Sequence, residues 1–249
     1  MDSLTLRDNV LELLKDDKEY YLGVGKNFLS NSDIQSLLSN PLDYGKARGD
    51  NKSFAEGRYF HQLVLEEDKA KDVKFVDAST RNTNKYREYC EEHNLEYVLL
   101  KKEVVAIQDL VARMKANITF FDEIYKPGNK FEVPGIADIC GETWKGKADI
   151  ETDDSIIDLK TTSDINKFKY SARSYNYDSQ CYIYQEIFGK PLKFLVIDKV
   201  TTQLGIFNPS VDFIMGGKAK VEKAIEVYRK YFGEDAEDDI SNHFIFETL

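Results

Sequence analysis

Apolar residues recur at helical intervals through much of the first half of the chain and at strand intervals through much of the second. Ser30-Asn31-Ser32-Asp33 places capping side chains just ahead of Ile34, Leu37 and Leu38, and Asn40-Pro41 forms a stop, which predicts a short helix over residues 32–39. Phe54, Tyr59, Phe60, Leu63 and Val64 return at helical spacing and predict a second helix over 53–66; a third is expected over 105–121. The period then shortens. Residues 131–133, 136–140, 147–151 and 155–159 are short, partly alternating runs separated by Pro134-Gly135, Gly141, Gly146 and Asp153-Asp154, the pattern of a strand meander. A helix over 178–188 stopped by Gly189 and Pro191, strands over 192–200 and 203–207, and a closing helix over 221–232 complete the pattern. The expectation is an α/β fold with a central mixed β-sheet flanked by helices. One domain, 1–249, would comprise a mainly helical N-terminal part (1–125), an α/β core (126–232) and an acidic tail (233–249). Residues 69–121 show no motif, and a helical insert or cap is the plain reading of them.

Composition narrows the function classes. The 249 residues are 42% hydrophobic and 31% charged, the balance of a globular chain long enough to bury a sizeable core. No run approaches the roughly 18 uncharged apolar residues of a membrane helix. The start, Met1-Asp2-Ser3-Leu4-Thr5, has neither the basic residues nor the apolar run of a signal peptide, so a cytoplasmic protein without a membrane partner is expected. Cys90, Cys140 and Cys181 lie far apart, which argues against a disulfide framework, a zinc ribbon or an iron–sulfur cluster. The net charge of −10 counts against a nucleic-acid partner if charge is spread evenly, but it is not. Acid is concentrated in residues 234–239, while Lys160, Lys167, Lys169 and Arg173 fall in one short segment.

The candidate chemistry lies in the meander. Asp149 sits on one expected strand, and Asp158-Leu159-Lys160 ends the next. Alternation puts Asp158 and Lys160 on the same face and Leu159 in the core. Carboxylates on neighbouring strands can share a hard divalent cation such as Mg²⁺, with the Leu159 carbonyl as a further ligand. Lys160 could then hydrogen-bond the attacking water and stabilise charge growing on a phosphate. Alone, Asp-x-Lys is more often a surface ion pair. The signal is the ordered set around it: Asp149 nine residues earlier, Gln180 and Tyr184 at i and i+4 on the next helix, and His61 upstream in Gly57-Arg58-Tyr59-Phe60-His61.

That ordered set resembles the PD-(D/E)XK nuclease superfamily, in the branch of the RecB nuclease domain, lambda-type exonuclease and the RecE-like exonuclease VIII proteins of phages and prophages. Residues 29–34, 40–44 and 57–65 resemble segments of RecE-like domains, and Ile157-Asp158-Leu159-Lys160-Thr161-Thr162 is similar to their core strand. The resemblance covers residues 28–200. It implies a restriction-endonuclease-like core with Asp149 and Asp158 as metal-binding carboxylates and Lys160 as the lysine that orients the attacking water. It further implies that His61 serves the metal site or positions substrate, that Gln180 and Tyr184 buttress the site and contact DNA, and that Glu132 is an acidic residue of an earlier strand. The implied cofactor is Mg²⁺, with Mn²⁺ able to substitute. The implied activity is exonucleolytic hydrolysis of DNA from duplex ends, 5′ to 3′, leaving 5′-phosphates, for phage-type recombination or end processing. Implied partners are duplex DNA ends, a single-strand annealing protein and further copies of the chain, in some relatives a ring. Iron–sulfur-bearing relatives carry a cysteine where this chain has Asn40, so a cluster is not expected. Two rival readings share the motif: an endonuclease of restriction or repair type, and a non-catalytic DNA-binding or assembly module.

Overall fold

The computed structural model describes residues 3–47, 49–246 and 248. The chain begins with helices α1 (Ser3–Leu13), α2 (Asp17–Tyr21), α3 (Asn31–Ser39), α4 (Lys52–Leu65) and α5 (Glu67–Lys71). Strand β1 (Phe75–Val76), helix α6 (Asn84–Glu92) and strand β2 (Leu99–Leu100) follow, then helices α7 (Lys101–Lys115) and α8 (Ile118–Tyr125). Strands β3 (Lys130–Ile139), β4 (Glu142–Glu151) and β5 (Ile156–Thr162) lead to helices α9 (Phe168–Ser174) and α10 (Tyr177–Phe188). Strands β6 (Leu192–Asp198) and β7 (Leu204–Phe207) and the long helix α11 (Val211–Tyr231) close the fold.

Five strands form one mixed sheet in the order β3-β4-β5-β6-β7, parallel only between β5 and β6 and antiparallel elsewhere. The parallel step needs a crossover, which α9 and α10 supply. Each face of the sheet buries its own apolar layer. Ile156, Phe194 and Val196 pack under α3, α10 and α11, against Ile34, Leu37, Cys181, Ile183, Val221 and Ile225. Ile157, Leu159, Leu195 and Ile197 point the other way, onto Phe60 and Val64 of α4 and the apolar faces of α7 and α8. Each fully buried aliphatic side chain contributes about 1.5–3 kcal/mol relative to exposure. Along β5 the alternation therefore drives Ile157 and Leu159 into one layer and turns Asp158 and Lys160 toward α10 in the other.

The α/β class and central mixed sheet agree with the expectation; several boundaries do not. Residues 131–133 and 136–140 are one strand, β3, running straight through Pro134-Gly135. β3 is the edge of the sheet, so a proline there removes no ladder bond. Arg7 of α1 bonds the Ile136 carbonyl at 2.8 Å, two residues along the same outer side, and covers that edge. The helix expected over 105–121 is two, α7 and α8, because the Asn117 side chain accepts from the Phe120 amide and starts a new helix. The closing helix begins ten residues before the expected 221, at Val211, its N-terminal half having been obscured by Gly216-Gly217. Residues 69–121 are not wholly helical: β1 and β2 pair in parallel, Phe75 with Leu99 and Val76 with Leu100, over a small core of Val76, Tyr86, Val98 and Leu100. Two-residue strands carry no readable period.

One buried carboxylate holds the far end of β6. Asp198, 2% exposed, accepts from the Val200 and Thr201 amides through Oδ1 and from the Ile165 amide through Oδ2, all at 2.8 Å. Burial alone would raise its pKa, but the backbone donors win and hold it below 3.8. A depressed carboxyl contributes stability that is complete above the unfolded value and is lost as pH falls through the folded one. Asp198→Asn keeps one acceptor oxygen and turns an amide N–H toward a backbone N–H. The expected cost is about 2 kcal/mol at neutral pH, shrinking below pH 4, measured as urea unfolding of both proteins across that range. Equal costs at pH 7 and pH 3 would contradict it.

Candidate active site

The site forms where β4 and β5 part. The two strands pair only at Ile150–Ile157 and Glu151–Ile156, at the base of the sheet, and then splay. Backbone groups exposed by the splay must find other partners or cost about 1–3 kcal/mol each. On the β4 side, Leu29 takes the Thr143 carbonyl at 3.0 Å and gives its own carbonyl to the Lys145 amide at 2.8 Å. Further along, the Tyr184 hydroxyl of α10 donates to the Lys147 carbonyl at 2.9 Å and accepts from the Lys147 amide at 3.3 Å. On the β5 side, the Leu159 amide donates to Asp149 Oδ2 at 2.7 Å, and the Leu159 carbonyl meets His61 Nε2 at 3.0 Å. Asp149 and His61 thus replace a rung of the ladder and are fixed by it.

A second irregularity adds a carboxylate. By the β3–β4 register Glu132 stands opposite Asp149, and its backbone is left-handed, φ +51°, a conformation that costs a non-glycine residue of order 1 kcal/mol or more. The sheet changes sides here. Ala148 lies in the layer under α10, whereas Ile150, two residues on, lies in the layer under α4 and α7. The result is a cluster in which ligand atoms of His61, Glu132 and Asp149 all lie within 4.8 Å of one another. His61 Nδ1 is 3.4 Å from Asp149 Oδ1.

Asp158 forms the neighbouring knot. It is 2% exposed, accepts from Gln180 Nε2 at 2.7 Å through Oδ1, and meets Lys160 Nζ at 2.6 Å through Oδ2. Oδ2 is fully buried and has no hydrogen bond of good angle, so the Lys160 ammonium supplies charge there rather than direction. Lys160 also lies over the Tyr177 ring, 4.6 Å from its centroid.

The electrostatics are those of crowded acids. Burial opposes charge on His61, yet the Asp149 carboxylate beside it more than offsets this and lifts the imidazole to about 9. The same pair, with Lys160 and the Leu159 amide, holds Asp149 below the usual carboxylate range against its burial. Burial and then Asp149 push Glu132 up to about 8, despite His61. Burial also raises Asp158, Lys160 opposing it and Asp149 reinforcing it. Desolvation works against the Lys160 charge, but Asp158 and then Tyr177 and Asp149 outweigh it and keep the ammonium. Three carboxyl groups crowded beside two cations thus make a place rich in oxygen donors, where Glu132 holds its proton near neutrality until a further cation displaces it. That donor set, oxygens with one imidazole and no thiolate, fits a hard divalent cation such as Mg²⁺ or Mn²⁺.

Of the residues singled out in the sequence, the structure gathers His61, Glu132 and Asp149 in one cluster and Asp158, Lys160 and Gln180 in the next, with Leu159 joining them. Its carbonyl, expected to be a ligand, is engaged by His61. Tyr184 is buried and acts on the β4 backbone at Lys147. Tyr177 and the N-terminal helix α2 escaped the sequence reading. Asp17 of α2 pairs with the buried Lys147 at 2.7 Å, and Lys145 donates to the Tyr20 carbonyl at 2.5 Å while lying over the Tyr20 ring. Burial and the neighbouring Lys147 bring Lys145 down to about 8. Nothing in their spacing signals these contacts, which cross more than 120 residues.

A 2.19 Å structure of a candidate exonuclease from Eubacterium rectale covers 94% of this chain and 95% of its own, with TM-score 0.61 and 18% identity. An alkaline exonuclease from Laribacter hongkongensis covers 85% and 93%, with TM-score 0.39 and 14% identity. No curated protein matches in sequence. Among the described residues no helix is long and apolar enough to cross a membrane. The model of the PDDEXK-like domain of unknown function (DUF3799) matches residues 39–237, which include every site residue named above except Leu29 and the α2 contacts, and the chain belongs to that family within the PD-(D/E)XK superfamily.

Proposed function

We propose that this chain is a divalent-metal-dependent deoxyribonuclease working as an exonuclease on duplex ends, 5′ to 3′, in phage-type recombination or DNA end processing. The observation that carries the reading is the splay of β4 from β5, which sets His61, Glu132 and Asp149 beside the Asp158–Lys160 pair. Asp149, Asp158, Glu132 and His61 would hold Mg²⁺ or Mn²⁺, with the Leu159 carbonyl as a further ligand. A divalent ion bound there supplies Lewis-acid polarisation of the phosphate and lowers the pKa of the attacking water. His61 serves as a ligand only as the neutral imidazole, which frees one ring nitrogen from its donor role. The Lys160 ammonium orients the attacking water and stabilises charge developing on the phosphate oxygens. Gln180 fixes one oxygen of Asp158, so that the other stays turned to Lys160. Tyr184 is a positioning residue that holds β4 open at Lys147.

The whole chain acts as one unit in this reading, since the helical part supplies His61 and covers both faces of the sheet. Duplex DNA ends are the substrate, a single-strand annealing protein is a working partner, and the chain assembles with copies of itself, a ring being one form. The test is digestion of linear and covalently closed circular duplex with Mg²⁺. Cleavage of the linear form alone, from the 5′-labelled end, is expected. Cutting of closed circles would favour the endonuclease reading. No cleavage of either form with Mg²⁺ or Mn²⁺ would favour a non-catalytic DNA-binding module.

A further inference from the structure

We propose that residues 165–177, the stretch from the end of β5 through α9 into α10, form a landing surface for single-stranded DNA that leads the strand to Lys160; this rests on the nuclease reading above. The composition is local and unusual for this chain. Residues 165–177 carry Lys167, Lys169 and Arg173, three tyrosines and no acid, within a protein of net charge −10.

The fold turns that composition outward. Phe168 and Ala172, four residues apart on α9, are buried, and the Phe168 ring packs tilted against that of Phe207, centroids 4.6 Å apart. This fixes the helix and leaves Lys169, Tyr170, Arg173 and Tyr175 facing solvent, both tyrosines 66% exposed. The Lys169 ammonium lies 4.8 Å from the Tyr170 centroid and the Arg173 guanidinium 5.0 Å from that of Phe213. Among the described residues neither cation has a carboxylate within ion-pair distance, whereas Lys167 is held by Asp164. Two cations without acidic partners beside two exposed rings are what a phosphate backbone with accessible bases would engage.

The surface is also continuous with the site. Tyr175 is 5.8 Å from Tyr177, Tyr177 is 4.6 Å from Lys160 Nζ, and Lys160 is 2.6 Å from Asp158. Rings therefore descend stepwise from solvent to the carboxylate. Single-strand binders combine basic side chains that follow the backbone with aromatic rings on which bases stack. A duplex keeps its base faces stacked inside and offers nothing to Tyr170 or Tyr175. The ligand that uses both features is a strand already parted from its complement.

The test is fluorescence anisotropy of a labelled oligothymidylate with the full chain in EDTA, where no hydrolysis intervenes. Tyr175→Ala is expected to weaken binding about tenfold and Tyr175→Trp to retain it. Lys169→Ala is expected to flatten the dependence of log affinity on log salt by about 0.7. Both side chains are exposed, so the fold should survive, and thermal unfolding checks that it does. The proposal is overturned if the wild type ignores the oligonucleotide, or if Tyr175→Ala binds it as tightly as the wild type does. An exposed patch serving a protein partner would give that second result. Mg²⁺ digestion of linear duplex by the same preparations separates the two readings. Cleavage without Tyr175-dependent binding removes only the landing surface, and Tyr175-dependent binding without cleavage removes only the nuclease.

Discussion

Lys160→Ala is expected to lower Mg²⁺-dependent cleavage of linear duplex DNA by about a thousandfold or more, and Asp158→Asn by a similar factor. The expectation follows from the surroundings of the pair. Lys160 keeps its charge in a largely enclosed place chiefly because Asp158 lies 2.6 Å away, with Tyr177 and Asp149 adding to it, so the ammonium is held where it acts strongly on a developing phosphate charge. Removing one preorganised donor of this kind typically costs 10²–10³ in rate, and losing a cation directed at a phosphate sits at the upper end. Because the two side chains act together, the double variant should be little worse than either single one. Lys160→Arg should not rescue: a longer, planar guanidinium spreads its charge and would not place it where the compact ammonium lies, 2.6 Å from Asp158 and 4.6 Å from the Tyr177 centroid.

Both variants should melt below the metal-free wild type. Asp158→Asn keeps an oxygen for Gln180 but leaves the Lys160 ammonium facing an amide where it had its largest stabilising charge. Lys160→Ala strands Asp158 beside Asp149 without its cation. Rates and melting curves on the same preparations decide the matter. Either variant cutting within tenfold of wild type would remove Asp158 and Lys160 from the chemistry.

How much of this site could be read from the sequence depends on the kind of contact that builds it. Asp158 and Lys160 were legible because strand alternation fixes their common face, and Gln180 because helical spacing aims a whole stripe at that face. His61 and Glu132 were legible only through family resemblance, since no periodicity links a helix near residue 61 to an edge strand near residue 132. What the sequence concealed is the splay itself. Nothing in residues 142–162 states that β4 and β5 pair at two positions and then separate, and the roles of Tyr184 and Leu159 follow from that separation. The i+4 relation of Tyr184 to Gln180 showed both to lie on one face of α10, but not that the Tyr184 hydroxyl would serve the Lys147 backbone in place of a strand. The fold shows the same division. Long apolar periods gave α3, α4, α10 and the central strands to within a few residues. The β1–β2 pair, too short to have a period, and the first half of α11, masked by two glycines, were not readable.

Those two glycines predict opposite outcomes for one substitution. Gly217→Ala is expected to destabilise the protein by about 3 kcal/mol or more, while Gly216→Ala should be neutral or stabilise it by up to about 1 kcal/mol. Both lie inside α11, where alanine is the better helix former by roughly that amount. They differ in what a Cβ would meet. At Gly216 the nearest atom is the end of the Arg173 side chain at 3.0 Å, which can swing aside. At Gly217 a Cβ would stand 2.0 Å from the Asp178 carbonyl oxygen, 2.2 Å from its carbon and 2.6 Å from the Ser179 amide nitrogen. That is the backbone of α10, which cannot yield without moving the helix. The move would reach the site, because α10 carries Gln180 against Asp158 and Tyr184 against β4. Gly217→Ala should therefore lose cleavage rate as well as stability, although it acts only through the α10 backbone, and at low temperature, where the variant is folded, the rate loss should persist. Thermal unfolding and cleavage rates of the two alanine variants provide the check. Equal melting temperatures would mean that α10 and α11 are not in backbone contact at Gly217.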